Sequence, residues 1–307
     1  MSFTLRAPRD QDLDALVALV RASEAENGDG ATTSPDDILN EWGFPRFDRD
    51  RHQRVVEADG RLIAWVDLWV REGEAHAGGW VRTEHRGRGI GTALIDWSIE
   101  AARVEPDVLQ MFTGSNIRRE DAIALIEGYG GFEYARSFFQ MIHRSPGDAS
   151  APDWPEGVAL ARLDGEELAR ASVEAHDGSF IDHWNYHPVP IEDYVHWLRH
   201  PDTDPDMWFI ARADDGAVAG FCLCFVERAA ETGRRIGWVA QLGTTRPFRR
   251  IGLGRALLRH GLRVLAERGV DEVRLGVDAE NLSGALGFYT RAGFEVMRES
   301  RVYRLKL

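Results

Sequence analysis

The sequence predicts an α/β protein built from one mixed domain repeated in tandem, each copy a mostly antiparallel central sheet flanked by helices. Three observations lead there. A glycine-and-arginine loop occurs twice, as Arg86-Gly87-Arg88-Gly89-Ile90-Gly91 and as Arg249-Arg250-Ile251-Gly252-Leu253-Gly254, with corresponding residues 163 positions apart. Strand-like and helix-like stretches follow the same order around both loops, as a duplicated unit requires. Between the halves runs a Pro-, Gly-, Ser- and Asp-rich stretch, 145–155, without apolar periodicity, which reads as a linker. The expected organisation is a first domain at 1–145, a linker at 146–157 and a second domain at 158–307.

Each half opens with a strand, at 3–6 and at 158–162, followed by an acidic amphipathic helix at 10–22 and at 164–176. Helical or irregular stretches come next, at 35–42 and 191–198. A β-meander then ends at Trp80-Val81 and at Leu242-Gly243-Thr244. After each loop the apolar residues recur at helical spacing: Leu94, Ile95, Ser98, Ile99 and Ala102, then Leu257, Leu258, Gly261, Leu262 and Leu265. Pro106 stops the first of these helices and Gly269 caps the second. A further strand (108–113; 272–277), a short helix, Gly131-Phe132 or Gly293-Phe294, and a closing strand complete each copy.

A chain of 307 residues has room for two cores. Its 44% hydrophobic and 28% charged composition is that of a folded globular protein. The formal net charge of −13 argues against a general nucleic-acid or anionic-membrane binder. Residues 1–6 run straight into a strand-like alternation, and no apolar run reaches membrane-span length. A cytoplasmic monomer or homodimer with a small-molecule partner is the expectation. Cys222 and Cys224, at i and i+2 of a strand, point to one face and read as buried thiols. No zinc-ligand spacing accompanies them, so no metal is expected.

The loops carry the chemistry. Glycines at alternating positions let the backbone turn sharply and approach a bulky anion, and the N-terminus of the following helix favours negative charge. A nucleotide P-loop would end in Gly-Lys-Ser/Thr, which neither copy has, and a dinucleotide fingerprint would place a third glycine where Leu94 and Leu257 stand. The loops therefore suit a pyrophosphate of another kind.

The pattern Arg-x-x-Gly-x-Gly opening a helix, joined in the second half by the stretch from Asn281 through Gly287, Phe288 and Tyr289 to Gly293-Phe294, resembles the GNAT acetyltransferase superfamily over essentially the whole chain. The resemblance implies acetyl-CoA as co-substrate and transfer of its acetyl group to the primary amine of a small molecule. It implies that Leu242, Gly243 and Thr244 lie on the strand that admits the pantetheine arm. Arg249, Arg250, Ile251, Gly252, Leu253, Gly254 and Arg255 would cradle the pyrophosphate, with Asn281 beside the cofactor. Tyr289 would act as general acid to the departing thiolate, a role suited to a phenol that donates its proton as charge builds on sulfur. A second cofactor site is implied at Val81, Arg86, Gly87, Arg88, Gly89, Ile90, Gly91 and Thr92.

The first half departs from this pattern. Glu127 stands where Tyr289 is expected, Tyr129 falls two residues later, and Arg119 rather than Asn116 matches Asn281. A carboxylate beside the sulfur would oppose thiolate departure, so the first half is expected to keep the fold or acyl-CoA binding without catalysis. The strand before the second loop carries Gln241, which cannot deprotonate an ammonium. Glu227, Asp182 and His183 are the candidate bases or acceptor-binding residues, with a water relay as a further route. The tandem layout also resembles family members that acetylate a cysteinyl-sugar, and a non-enzymatic acyl-CoA-binding regulator is the remaining alternative.

Overall fold

A computed structural model of the chain describes residues 2–28, 30–281 and 284–307. They form two compact units, one of residues 1–139 with 298–307 and the other of residues 140–297. The division falls at 139/140 and not in the 146–157 stretch, and the last ten residues belong to the first unit. The reason is strand pairing. The C-terminal strand β12 (Glu295–Lys306) runs antiparallel to β5 (Gln110–Asn116) from Ser300↔Asn116 to Lys306↔Gln110.

In the first unit, β1 (Thr4–Arg6), β2 (Gln53–Ala58), β3 (Arg61–Arg71) and β4 (Glu74–Val81) pair antiparallel in succession. β4 then pairs parallel with β5. Strand alternation sends Val55 to one face and Val56 to the other. On the first face, α1 (Leu13–Asn27) and α2 (Pro35–Trp42) bring Leu16, Leu19 and Ile38 onto Val55 and Trp80. On the second, α4 (Ile90–Val104) brings Ile90 and Leu94 onto Val56, Ala64 and Val66. Between α2 and β2 lies the one-turn α3 (Arg49–His52), and α5 (Glu120–Tyr129) follows β5. α2 begins where its sequence says it should. Ser34 accepts from the Asp37 N–H while Asp37 reaches back to the Ser34 N–H, and Pro35 occupies the first turn.

The second unit repeats the plan. β7 (Val158–Ala161), β8 (Trp208–Ala213), β9 (Val218–Arg228) and β10 (Arg235–Thr244) are antiparallel, and β10 pairs parallel with β11 (Glu272–Asp278). α6 (Gly165–Phe180) and α7 (Ile191–Leu198) bury Leu168, Ala175 and Tyr194 on Ile210 and Phe221. α8 (Leu253–Glu267) covers the other face, and α9 (Ala285–Arg291) precedes β12. The two thiols are buried as expected, 3.6 Å apart. They account for a helix-interior glycine, since a Cβ on Gly261 of α8 would lie 3.1 Å from both sulfurs. β6 (Glu133–His143) and β12 each contribute residues to both units.

The parallel pairing stops early in both units. β4 and β5 pair only from Glu74↔Gln110 to Ala77↔Thr113, and β10 and β11 only from Ile236↔Glu272 to Trp238↔Arg274. Beyond those points Gly78–Val81 and Val239–Thr244 stay paired on their antiparallel side alone. In β10 a bulge between Val239 and Gln241 sharpens the departure.

The close approach of β12 to β5 makes a test. A Cβ on Gly114 would run into the Arg301 carbonyl, whereas one on Gly128 in α5 would meet nothing within 4 Å. Gly114→Ala should cost about 1–3 kcal/mol, and Gly128→Ala should gain roughly 0.5–1 kcal/mol as a helix substitution. Urea unfolding of the two variants checks the opposite signs.

Candidate active site

The two loops fold alike. Gly89 (φ 79°) and Gly252 (φ 91°) are the left-handed N-caps of α4 and α8. The residue two before each cap is also left-handed, Gly87 at φ 69° and Arg250 at φ 65°. A side chain in that conformation costs about 1–2 kcal/mol, so Arg250 is kept against a backbone preference that its counterpart Gly87 satisfies.

The leading arginine of each loop does something the sequence did not suggest. Arg86 Nε donates to the Val81 carbonyl at 3.0 Å and Arg249 Nε to the Thr244 carbonyl at 3.3 Å, the same contact at corresponding positions. Each guanidinium ties its loop to the end of the splayed strand. Their remaining donors are also engaged. Arg86 holds Glu26 at 2.6 Å, and Arg249 holds the Ser179 carbonyl at 2.9 Å and Asp182 at 3.1 Å. The exposed cations at the start of α8 are Arg250 and Arg255, neither with an ion-pair partner among the described residues. The first loop has Gly87 and Thr92 at those positions.

In the first unit, splay and loop enclose a cavity of about 350 Å³. Gly78 to Val81 of β4, Arg86, Gly87, Gly89 and Gly91 of the loop, Thr113 and Gly114 of β5, and Leu125 of α5 line it. Glu127 and Tyr129 do not. Tyr303 donates to the Glu127 carboxylate at 2.7 Å, and Tyr129 donates to Asp96 at 2.5 Å, a bond that pushes the Tyr129 phenol up to about 12. Asn116 is buried and accepts from the Arg118 N–H at 3.0 Å.

In the second unit, Tyr289 lies on α9 with its ring 5.2 Å from Phe288 and 5.9 Å from Phe294. Its hydroxyl makes no hydrogen bond among the described residues. Burial pushes the phenol above the ordinary tyrosine value, and the Cys222 thiol is its electrostatic neighbour. Cys222 pairs with Leu242 in the β9–β10 register, which sets Tyr289 at the level of the splayed stretch. Asn281 sits in the turn after β11, its N–H on the Asp278 carbonyl at 3.2 Å. Leu282 and Ser283 of the same motif lie outside the described residues.

The three candidate bases separate. Asp182 is clamped by Arg246 and Arg249, whose hydrogen bonds hold its carboxyl down at about 2. A proton acceptor that acidic is weak at neutral pH. Glu227 pairs in register with Ile236, at the closed end of β10, and accepts from Trp238 Nε1 at 2.9 Å. His183 packs edge-on against Phe180 at 4.6 Å, within the electrostatic reach of Asp278 at the end of β11 and of Arg249. Desolvation lowers its pKa, leaving a neutral imidazole at pH 7. Two residues escaped the sequence reading. The fully buried Tyr194 donates to Gln241 Oε1 at 2.9 Å, and Tyr186 donates to Asp177 at 2.7 Å. A regular aromatic periodicity in α7 gave no hint that one ring would reach the splayed strand.

A model of the Acetyltransferase (GNAT) family matches residues 16–130 and again 172–294. The chain is 31% identical to a mycothiol acetyltransferase of Kineococcus radiotolerans over 288 residues, 92% of this chain and 89% of the relative. It is 27% identical to that of Frankia casuarinae, over 92% and 91%. Among solved structures, a GCN5-related N-acetyltransferase from Sphaerobacter thermophilus superposes with a TM-score of 0.77 at 29% identity, covering 99% of this chain and 95% of that one. A tandem GNAT protein from the clavulanic acid biosynthesis pathway superposes at 0.74 with 17% identity, over 99% and 98%, a likeness of fold.

Burial lowers the pKa of His183, His143 and His260, all in the second unit. The folded form then binds protons less readily than the unfolded chain, so the stability these groups contribute is present above the unfolded value of 6.5 and lost as pH falls below it. The His183 ring resonances should titrate with a midpoint below 6.5, and thermal unfolding of the second unit should shift downward between pH 7.5 and pH 5. A midpoint at or above 6.5 would contradict the burial described.

Proposed function

We infer, from the premise that the chain belongs to the GNAT acetyltransferase family and is an N-acetyltransferase, that its second unit moves an acetyl group from acetyl-CoA to the primary amine of a small molecule. The residues present suit that co-substrate. The left-handed loop at Arg250 and Gly252 turns backbone N–H groups toward the start of α8, where Arg250 and Arg255 add unpaired charge for a pyrophosphate. The free edge of β10 from Leu242 to Thr244 offers backbone donors and acceptors for an amide-bearing arm. Bound acetyl-CoA supplies the activated thioester, and the rest falls to the chain.

His183 accepts a proton from the incoming ammonium, directly or through water, because its imidazole is neutral at pH 7 and lies within the electrostatic reach of Asp278 at the end of β11 and of Arg249. The free amine attacks the acetyl carbonyl carbon, the carbon–sulfur bond breaks, and the Tyr289 O–H gives its proton to the sulfur. Burial keeps that phenol protonated at neutral pH, and with no hydrogen-bond acceptor among the described residues its proton is available. This phenol is the single observation that carries the reading.

The acceptor follows two lines. The aromatic segment with Phe180, Tyr186 and His176, whose rings pack at 5.1 Å and 5.8 Å, suits a small amine with a flat apolar part. The likeness to mycothiol acetyltransferases favours the amine of a cysteinyl-sugar instead. Thiol release from acetyl-CoA across an amine panel that includes a cysteinyl-glucosamine separates them.

Tyr289→Phe should lower turnover of the preferred amine by about 10- to 1000-fold with acetyl-CoA affinity little changed. Steady-state kinetics with a direct CoA-binding measurement check this, and unchanged turnover would remove Tyr289 from the mechanism.

A further inference from the structure

The first unit carries a polar hollow that the chemistry proposed above leaves idle. Its volume is about 730 Å³. The ends of β1 and β2, the start of β3, the first half of α1 and the 3₁₀ turn Thr83–His85 after β4 enclose it. No residue that lines it also lines the 350 Å³ cavity at the splay. From α1 it is faced by Ala15 and Ala18, exposed residues one turn apart whose short side chains leave the space open.

The charges around the hollow are unevenly paired. Four guanidiniums and three carboxylates line it, an excess of one positive charge on a chain of net −13. Arg6 takes two of the carboxylates, Asp12 at 2.6 Å and Glu57 at 2.8 Å, and its hydrogen bond holds the Asp12 carboxyl below the ordinary carboxylate range. The third, Glu84, is exposed. Arg9, Arg61 and Arg82 are left with no ion-pair partner among the described residues. Arg82 is fixed in place: its N–H donates to the Ile63 carbonyl at 2.9 Å and its Nε to the Leu62 carbonyl at 3.3 Å, which leaves both terminal nitrogens for a guest. His85, on the same wall, has a buried Nδ1 that no described residue bonds. A buried nitrogen of that kind calls for a partner, and cations gathered without counter-ions repel one another until an anion neutralises them.

The donor set selects among anions. One guanidinium fork satisfies a carboxylate, whereas a phosphomonoester brings close to two charges and three strong acceptor oxygens, enough for several forks. Orthophosphate alone would leave most of the hollow unfilled. Gln11, Asp12 and Glu57 supply amide and carboxylate groups that pair with hydroxyls, and no Phe, Tyr or Trp is among the described lining residues to stack on a base.

We propose that this hollow binds a sugar phosphate, its phosphate held by Arg9, Arg61 and Arg82 and its hydroxyl-bearing body set against Gln11, Asp12 and Glu57. Arg82 and His85 lie between the end of β4 and the 86–91 loop, so the guest sits beside the first cofactor cavity and not in it. The site is independent of Tyr289 and of the acceptor assigned to the second unit.

Isothermal titration of the full chain with glucose 6-phosphate tests this, with saturating acetyl-CoA present so that the two glycine loops do not compete for phosphate. Saturable binding is expected, and Arg9→Gln and Arg61→Gln should each weaken it by about 10-fold or more. Both side chains are exposed and neither guanidinium makes a hydrogen bond among the described residues, so the unfolding midpoints should stay at that of the parent chain. Arg71→Gln, which removes an exposed arginine at the other end of β3, should bind as the parent does. The His85 ring nitrogens should shift on titration in ¹⁵N spectra. Absence of binding, binding that neither variant weakens, or an equal loss in Arg71→Gln overturns the inference. Orthophosphate that binds as tightly as glucose 6-phosphate overturns the sugar assignment.

Discussion

Everything at both sites depends on where a parallel strand pair stops. A parallel ladder that ran to the end of β4 and β5, or of β10 and β11, would satisfy every backbone group and leave no room for a ligand. Pairing that ends at Ala77↔Thr113 and at Trp238↔Arg274 leaves a wedge-shaped opening with free backbone groups along its edges. The core on both faces of each sheet holds that wedge open. Val66 and Leu94 pack on one side in the first unit, with Trp80 on the other. The leading loop arginines then fasten each glycine loop to the last residue of the splayed strand. A charged residue that looked like a phosphate ligand is thus largely a structural tie, and the dependence of the ligand site on the splay becomes physical rather than merely spatial.

The same frame carries different chemistry in its two copies. Among the described residues, the second unit presents two arginines without an ion-pair partner at the helix start and a half-buried phenol without a hydrogen bond. The first has Gly87 and Thr92 where those arginines stand, and Glu127 at the place expected of Tyr289 accepts from Tyr303.

Much of this was legible in the chain. The repeated loop, the helices after it, the Ser34–Asp37 capping box and the same-face thiols follow from local pattern, because periodicity and caps are written in neighbouring residues. The capture of residues 298–307 by the first unit was not legible, since a strand's choice of partner is a long-range matter that alternation does not encode. Nor was Tyr194 on Gln241, which depends on cross-element register. Glu127 and Tyr129 were placed by offset beside the sulfur, but β12 and α4 supply them with hydrogen-bond partners that no offset could show.

The central claim is that splay plus loop makes an acetyl-CoA site in each unit. Equilibrium dialysis of acetyl-CoA against the intact chain tests it most directly. The account predicts two molecules bound per chain, whereas saturation at one would contradict it.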